Sequence, residues 1–359
     1  MHFKESNLMA KKKAKKKTTK RKPAKPPITP QRITELAWGF APMLMLHAAV
    51  SNRVFDVLDS GPKTIDELAG ATQCSRRGIL ALVEALVGFG LLHRRRDRFS
   101  LAPDSAAFMV SSKPGYLGGL VRHFSAQLLD NWRQLPENVR TGKPATMVDH
   151  EDQGAEFFSK FVEDLFNMSI NAAEALADEL AKKPPTRKGQ LKILDIAAGS
   201  GVWSIPLAKR MASAHITAVD FAKVLPVTRR VVERHLSADR LSTIEGDIQT
   251  ADFGKGFHFA TLGHILHSEG ESKSRRLLKK VYDALAPGGT IAIAEFVPND
   301  DRNGPPYPLL FAVNMLVNTE DGDTFTFKQM SGWLKEIGFK KIRKVPVPSP
   351  SPIIVAIKP

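Results

Sequence analysis

The sequence predicts an α/β protein: a doubly wound, Rossmann-like sheet in the C-terminal half, preceded by a smaller, mainly helical module. Three observations carry this. Residues 191–194 are a short apolar run leading to Asp195, the small-residue turn Ala197-Ala198-Gly199-Ser200-Gly201 and a helical pattern from Val202, which reads as strand, glycine turn, helix. Strand-length runs then recur at 214–219, 242–246, 257–262 and 290–296, the first two followed directly by Asp220 and Asp247. Ahead of them, residues 33–58 are apolar at helical spacing and lead into two capped helices.

Residues 1–30 are lysine-rich. Ten Lys or Arg and no acid fall within 11–25, so most of the +15 net charge sits there and residues 31–359 carry +5. Such a segment cannot bury enough apolar surface to fold, and it lacks the apolar core of a signal peptide. It reads as a disordered, solubilising tail; the alternative is a tether to nucleic acid, ribosomes or an anionic membrane. Residues 31–110 form the helical module. Leu36, Phe40, Met43, Leu44, Val50, Val54, Phe55 and Leu58 share a face, with Pro42 as a kink. Thr64 and Glu67 have capping-box spacing, and Ser75 caps the next helix. The turn at 88–90 leads into two wing strands over 91–101. This is a winged-helix pattern, and Arg76, Arg77, Arg94, Arg95, Arg96 and Arg98 suit phosphates. The apolar first helix instead suits dimerisation.

Residues 111–185 read as connecting helices, with a flexible joint at 115–119. His123, Phe124, Leu128, Leu129 and Trp132 lie on one face, and a further helix carries Phe157, Phe158, Phe161, Phe166, Asn167 and Met168. Residues 186–359 hold the sheet. A helix over 273–285 is stopped by Pro287-Gly288-Gly289; helices follow at 305–316 and 327–337, then strands at 339–345 and 353–357. No apolar run reaches the roughly 18 residues a membrane span needs. The single cysteine, Cys74, cannot form an internal disulfide and fits a reducing cytoplasm. No metal site is expected.

The glycine turn indicates the ligand. It lacks the G-x-G-x-x-G of a dinucleotide site, and Asp195 ahead of it would repel a pyrophosphate. A carboxylate there suits a ligand with a cationic end, such as the sulfonium and ammonium of S-adenosyl-L-methionine (SAM). Gly199 and Gly201 allow close backbone approach. Asp220, followed by Phe221, is placed to accept from a ribose diol. Asp247 can accept from an adenine amino group while Ile248 packs on the ring.

In this order, D-I-A-A-G-S-G, A-V-D, E-G-D-I and A-L-A-P-G-G resemble a class I SAM-dependent methyltransferase. With the module before them, the chain from about residue 33 is similar to small-molecule O-methyltransferases of the caffeate and acetylserotonin type. That resemblance implies a seven-stranded sheet with an antiparallel end, a homodimer held by the winged-helix module, and a small aromatic acceptor. It also implies that the connecting helices and the helix at 305–316 line the acceptor pocket; Phe161, Met168, Phe311, Asn314 and Met315 are the candidates. Family members carry a basic His in an L-H-D-W-like segment. Ile265-Leu266-His267 matches, with Ser268 and Glu269 in place of Asp and Trp. Glu295 matches the acid that orients the His. Gly263 stands where the family has Lys, and Thr324 where it has a further acid.

Methyl transfer chiefly requires alignment, worth about 7–11 kcal/mol. A phenol with a pKa near 10 is only about one part in a thousand ionised at pH 7, and a base can recover about 10²–10⁴-fold. An ordinary imidazole suits that task. His267 is therefore the expected general base and Glu295 its partner, with His264 as a rival. The alternatives are C- or N-methylation on the same fold, or a SAM-sensing fold serving as a DNA-binding regulator.

Overall fold

A computed structural model describes residues 28–148, 151–159, 161–182, 189–350 and 352–359, without the side chains of 151–153 and 156. The basic stretch 11–25 and the boundary expected at 185 lie outside the described residues. The described chain divides into two units between Ala41 and Pro42.

The first unit contains the helix Gln31–Ala37, after which Trp38 stacks on Phe40 with ring centroids 5.9 Å apart. Ile33, Leu36 and Trp38 are exposed. The helical stretch Gln31–Ser51, with a turn at Trp38-Gly39-Phe40, is long and apolar enough by length and composition to cross a membrane, at mean hydropathy 1.3. Arg32, Thr34, Glu35 and His47 interrupt it, so no unbroken apolar run there reaches the length of a span.

The long helix expected over 33–58 is three helices, Gln31–Ala37, Ala41–Ser51 and Val54–Asp59. Pro42 lies in the first turn of the second, where its missing N–H is no loss. A further break falls at Arg53, whose φ of 57° is left-handed. The Thr64–Glu67 capping box forms in both directions and opens the helix Ile65–Thr72; Ser75 caps Arg76–Gly88. The wing has three strands, because β1 (Lys63–Thr64) joins β2 (Leu92–Arg95) and β3 (Arg98–Leu101) in the order β1-β3-β2. Phe55, Leu68, Ile79, Leu86 and Phe99 fill this core. Arg76, Arg94 and Arg98 pair with Asp66, Glu84 and Glu67. Those arginines are therefore matched by neighbouring acids, which weakens the reading of this face as a phosphate surface.

The joint expected at 115–119 is a close-packed helix start. A Cβ on Gly119 would lie 2.1 Å from the Asp164 carboxylate, and one on Gly118 would overlap the Tyr116 ring. The helix runs Gly118–His123, passes through a π-helical turn at Phe124–Leu128 and ends at Leu129–Trp132. The next expected helix is two, Glu151–Ser159 and Phe166–Ala181, separated by turns.

The main sheet is built from β4 (Leu191–Ile196), β5 (Ala214–Asp220), β6 (Leu241–Glu245), β7 (Phe257–Gly263), β8 (Leu285–Ala294), β9 (Lys340–Val345) and β10 (Ile353–Ile357), in the order β6-β5-β4-β7-β8-β10-β9. All neighbours are parallel except β10, which is antiparallel to both β8 and β9. Successive residues of β4 point to opposite faces. Ile193 joins a core with Leu176 and Ile205; Leu194 joins one with Leu277 and Trp333. Burial on both faces explains why β4 is apolar almost throughout. β8 begins at Leu285, ahead of the expected start, because Leu285 already pairs with Phe257 across an irregular step. The preceding helix spans Leu266–Ala284, longer than expected, with a non-helical Gly270 near its start. The chain leaves β4 for β5 on one side and later returns to β7 on the other. That reversal opens a crevice at the C-terminal strand ends.

Candidate active site

Two cavities meet at this crevice. The first, about 140 Å³, lies over the β4 turn and the ends of β5, β6 and β7. Gly199, Asp220, Phe221, Asp247, Ile248 and Gly263 all line it. The turn takes left-handed φ at Ala197 (50°), Gly199 (53°) and Gly201 (74°). Gly199 N–H donates to Asp220 Oδ2 at 2.8 Å, and its carbonyl accepts from Thr228 Oγ1 at 2.5 Å, tying turn, strand end and helix together. Asp220 Oδ1 accepts from the N–H of Phe221 at 2.8 Å. Burial pushes the Asp220 carboxyl up to about 6 against these two donors. Lys280 fastens the Asp247-Ile248 segment by donating to the carbonyls of Ile248 and Ala251 at 2.7 and 2.9 Å.

Two expected ligand residues are placed elsewhere. Asp195 does not line the cavity. Its carboxylate points inward, accepting from Ser204 Oγ at 2.5 Å and Thr261 Oγ1 at 2.7 Å. Burial, with the nearby Asp220 charge adding to it, raises its carboxyl to about 7 against the two hydroxyls. Gly201 is likewise absent from the lining; a Cβ there would lie 3.1 Å from Val232, so the glycine serves helix packing. Glu269, 6% exposed, lines the cavity and accepts from Gln249 Nε2 at 2.6 Å. Three acids and, among the described lining residues, no Lys or Arg fit a ligand with a cationic end. They do not fit a pyrophosphate.

The second cavity, about 340 Å³, is walled by aromatics. Phe161, Met168, Phe311, Asn314 and Met315, the expected pocket residues, all line it. The π-helical turn brings Phe124, Leu128 and Trp132 to one wall. His123 stacks on Phe161 with centroids 3.7 Å apart, and burial lowers its pKa to about 4. Val148, Phe158, Leu165, Ser169, His264 and Ser268 border both cavities.

His267 stands on the second cavity beside this boundary. Its Nδ1 lies 2.7 Å from Glu295 Oε2, and Glu295 Oε1 accepts from the N–H of Leu266 at 2.7 Å and of His267 at 3.3 Å. Burial opposes the charge on Glu295, but His267 and the N–H donors prevail and hold it below the usual carboxylate range. With Nδ1–H donated to Glu295, Nε2 is the nitrogen left for the cavity. The ring packs edge-on against Phe311 at 4.8 Å. His264 has φ of 60°, a buried Nδ1 without a partner among the described residues, and a pKa lowered by burial to about 4. His264, His267 and Glu295 bring possible metal-ligating atoms within 4.8 Å of one another, although Glu295 is already engaged by its three donors. Thr324, at the position of the missing acid, is buried and donates to the Pro308 carbonyl at 3.1 Å.

The sequence reading did not single out Trp203, Glu269 or Ser268 as lining residues. A Cβ on Gly263 would lie 2.0 Å from the Trp203 indole. A glycine ending a buried strand was the available signal.

The O-methyltransferase domain family matches residues 132–340, and the O-methyltransferase dimerisation domain family matches residues 34–111. The chain belongs to the O-methyltransferases. It is similar to the 3-hydroxy-5-methyl-1-naphthoate 3-O-methyltransferase of Streptomyces sahachiroi, at 29% identity over 89% of this chain and 92% of that protein. It is also similar to the S-adenosyl-L-methionine-dependent methyl transferase PigF of a Serratia species, at 25% identity over 92% of this chain and 97% of that one. A crystal structure from Nostoc punctiforme, of the O-methyltransferase class, superposes with a TM-score of 0.84 at 27% identity, covering 93% of this chain and all of that one.

Proposed function

We propose that the protein transfers a methyl group from SAM to a hydroxyl of a small aromatic molecule, with His267 as general base. The observation that carries this is the His267–Glu295 pair, set on an aromatic cavity where it meets a cavity lined by acids. Asp220, Asp247, Ile248 and the backbone around Gly199 would hold SAM, which supplies an electrophilic methyl group on its sulfonium when bound. The acceptor hydroxyl gives its proton to His267 Nε2 as its oxygen takes the methyl group. Glu295 holds the tautomer that leaves Nε2 free and stabilises the imidazolium that forms. Phe161, Phe296 and Phe311 orient the acceptor ring and exclude water.

Residues 31–110 are read as a dimerisation module, 111–185 as helices that wall the acceptor cavity, and 186–359 as the SAM-binding domain. The working unit is a homodimer, a reading supported by the dimerisation-domain match, and its proposed location is the cytoplasm.

Calorimetric titration with SAM and its demethylated product, followed by transfer of labelled methyl to a panel of phenols, tests the reading. Micromolar binding that Asp220→Ala abolishes, together with labelled ether product, is expected. A folded wild type that binds neither compound would overturn it.

A further inference from the structure

The second cavity carries a polarity pattern that narrows the acceptor class, taking the O-methylation reading as its basis. Its described lining includes no Lys or Arg. Its histidines other than His267 are held neutral by burial, so no fixed cation faces a ligand there. A carboxylate placed in such a wall would be buried without a counter-charge, which is costly.

Besides Ser169, Ser268, Tyr307 and the histidines, the wall carries an amide cluster with one open valence of its own. Trp132 Nε1, which can only donate, lies 2.8 Å from Asn314 Oδ1 and so fixes which end of the amide is oxygen. Asn318 Nδ2 donates to the same oxygen at 3.1 Å and to the Asn314 backbone carbonyl at 2.9 Å. Asn318 Oδ1 in turn accepts from Asn131 Nδ2 at 2.7 Å. Asn318 is thereby engaged at both ends. Asn314 Nδ2 finds no acceptor among the described residues and is the donor that this cluster leaves for the cavity. Asn314 sits one turn beyond Phe311, the ring packed against His267. Residues so spaced have Cβ atoms about 5–6 Å apart.

We propose that the acceptor is an uncharged polycyclic aromatic hydroxy-ketone or hydroxyquinone, its hydroxyl at His267 and a carbonyl oxygen accepting from Asn314 Nδ2. Asn314 is then the specificity-determining residue. An acceptor without that carbonyl leaves a buried donor unpaired, which weakens binding by about ten- to a hundredfold.

The test measures binding to full-length protein saturated with demethylated SAM, using three probes: 2-hydroxyanthraquinone, 2-hydroxyanthracene, and 2-hydroxyanthraquinone carrying a carboxylate on its far ring. The quinone is expected to bind at least about tenfold more tightly than either other probe. Asn314→Asp keeps an oxygen for Trp132 and Asn318 while replacing the donor, so it should erase the quinone's advantage over the anthracene. Its affinity for demethylated SAM should stay unchanged and it should remain folded at the assay temperature, although the unpaired carboxylate lowers its melting temperature. Asn314→Ala should erase the same preference. Equal binding of quinone and anthracene by wild type, equal binding of the carboxylate, or a preference that survives Asn314→Asp overturns the proposal. So does failure of all three probes on protein that binds demethylated SAM. Failure to bind demethylated SAM at all instead strikes the methyltransferase reading beneath it.

Discussion

Trp203 occupies the space that any side chain at Gly263 would need. A Cβ built on Gly263 falls 2.0 Å from the indole, and both residues line the acid-lined cavity. The floor of that cavity is thus a large ring on the β4 turn fitted against a bare strand end on β7. Gly263→Ala is expected to push Trp203 into the cavity, destabilise the fold by about 1–3 kcal/mol through overpacking and weaken SAM binding. Gly263→Lys, restoring the residue the resemblance places there, should be worse. Calorimetry with SAM, alongside a melting curve, checks this; unchanged affinity in a folded Gly263→Ala protein would show that Trp203 has somewhere else to go.

Removing the base should separate chemistry from binding. His267→Ala is expected to lower kcat by about 10²–10⁴-fold while leaving SAM affinity near wild type. Glu295→Gln keeps an acceptor for Nδ1 but loses the charge that steadies the imidazolium, so its kcat should fall between the two. Glu295→Ala additionally leaves the Leu266 N–H without its partner and should cost about 1–3 kcal/mol of stability. Steady-state kinetics with a competent phenol decides the matter. A His267→Ala enzyme with full kcat from pH 6 to 8 would remove His267 from the base role.

Much of this arrangement was legible in the sequence because strand ends in a doubly wound sheet converge on one crevice. Asp220, Asp247, Ile248, His267 and Glu295 each follow or end a recognisable apolar run, and all reach the cavities or pair beside them. Asp195 was misplaced for a physical reason. Alternation along β4 turns its side chain into the layer beneath, where Ser204 and Thr261 take it, and the sequence does not show those partners. Gly118 and Gly119 look like a hinge in one dimension; the clashes their side chains would meet exist only after Tyr116 and Asp164 are packed. The second break of the first helix falls at a left-handed Arg53, which no residue type signals. The role of Asn314 needed its neighbours Trp132 and Asn318, which come together only through folding.

Asp195 also predicts how stability depends on pH. Its folded pKa, raised to about 7 by burial, exceeds the unfolded value of about 3.9. Between these values the folded state holds the extra proton, so stability is greatest at the acid end of the window and declines as pH rises from about 4 through 7. Asp220, raised to about 6, acts in the same direction. Asp195→Asn preserves hydrogen-bonding atoms for Ser204 and Thr261 without the titration. It should therefore lose less stability than wild type between pH 5 and 8. Urea unfolding at the two pH values measures the difference, and parallel losses in both proteins would mean that Asp195 is ionised throughout.

The exposed apolar residues at the start of the described chain lead to a last expectation. Ile33, Leu36, Trp38 and Phe40 are 69, 68, 64 and 52% exposed. Covering one such side chain is worth about 1.5–3 kcal/mol, and an uncovered cluster of them is an association surface. The dimerisation-domain match begins at residue 34, which makes a second copy of this chain the expected cover. Leu36→Glu with Trp38→Glu should then shift the protein from dimer to monomer in light scattering at micromolar concentration, with the melting transition of the catalytic domain retained. The stretch Gln31–Ser51 also meets the length and composition of a membrane helix, so the same variants should be sedimented with phospholipid vesicles. A wild type that is monomeric without vesicles, and pelleted with them only when Leu36 and Trp38 are intact, would assign this surface to lipid instead of to the dimer.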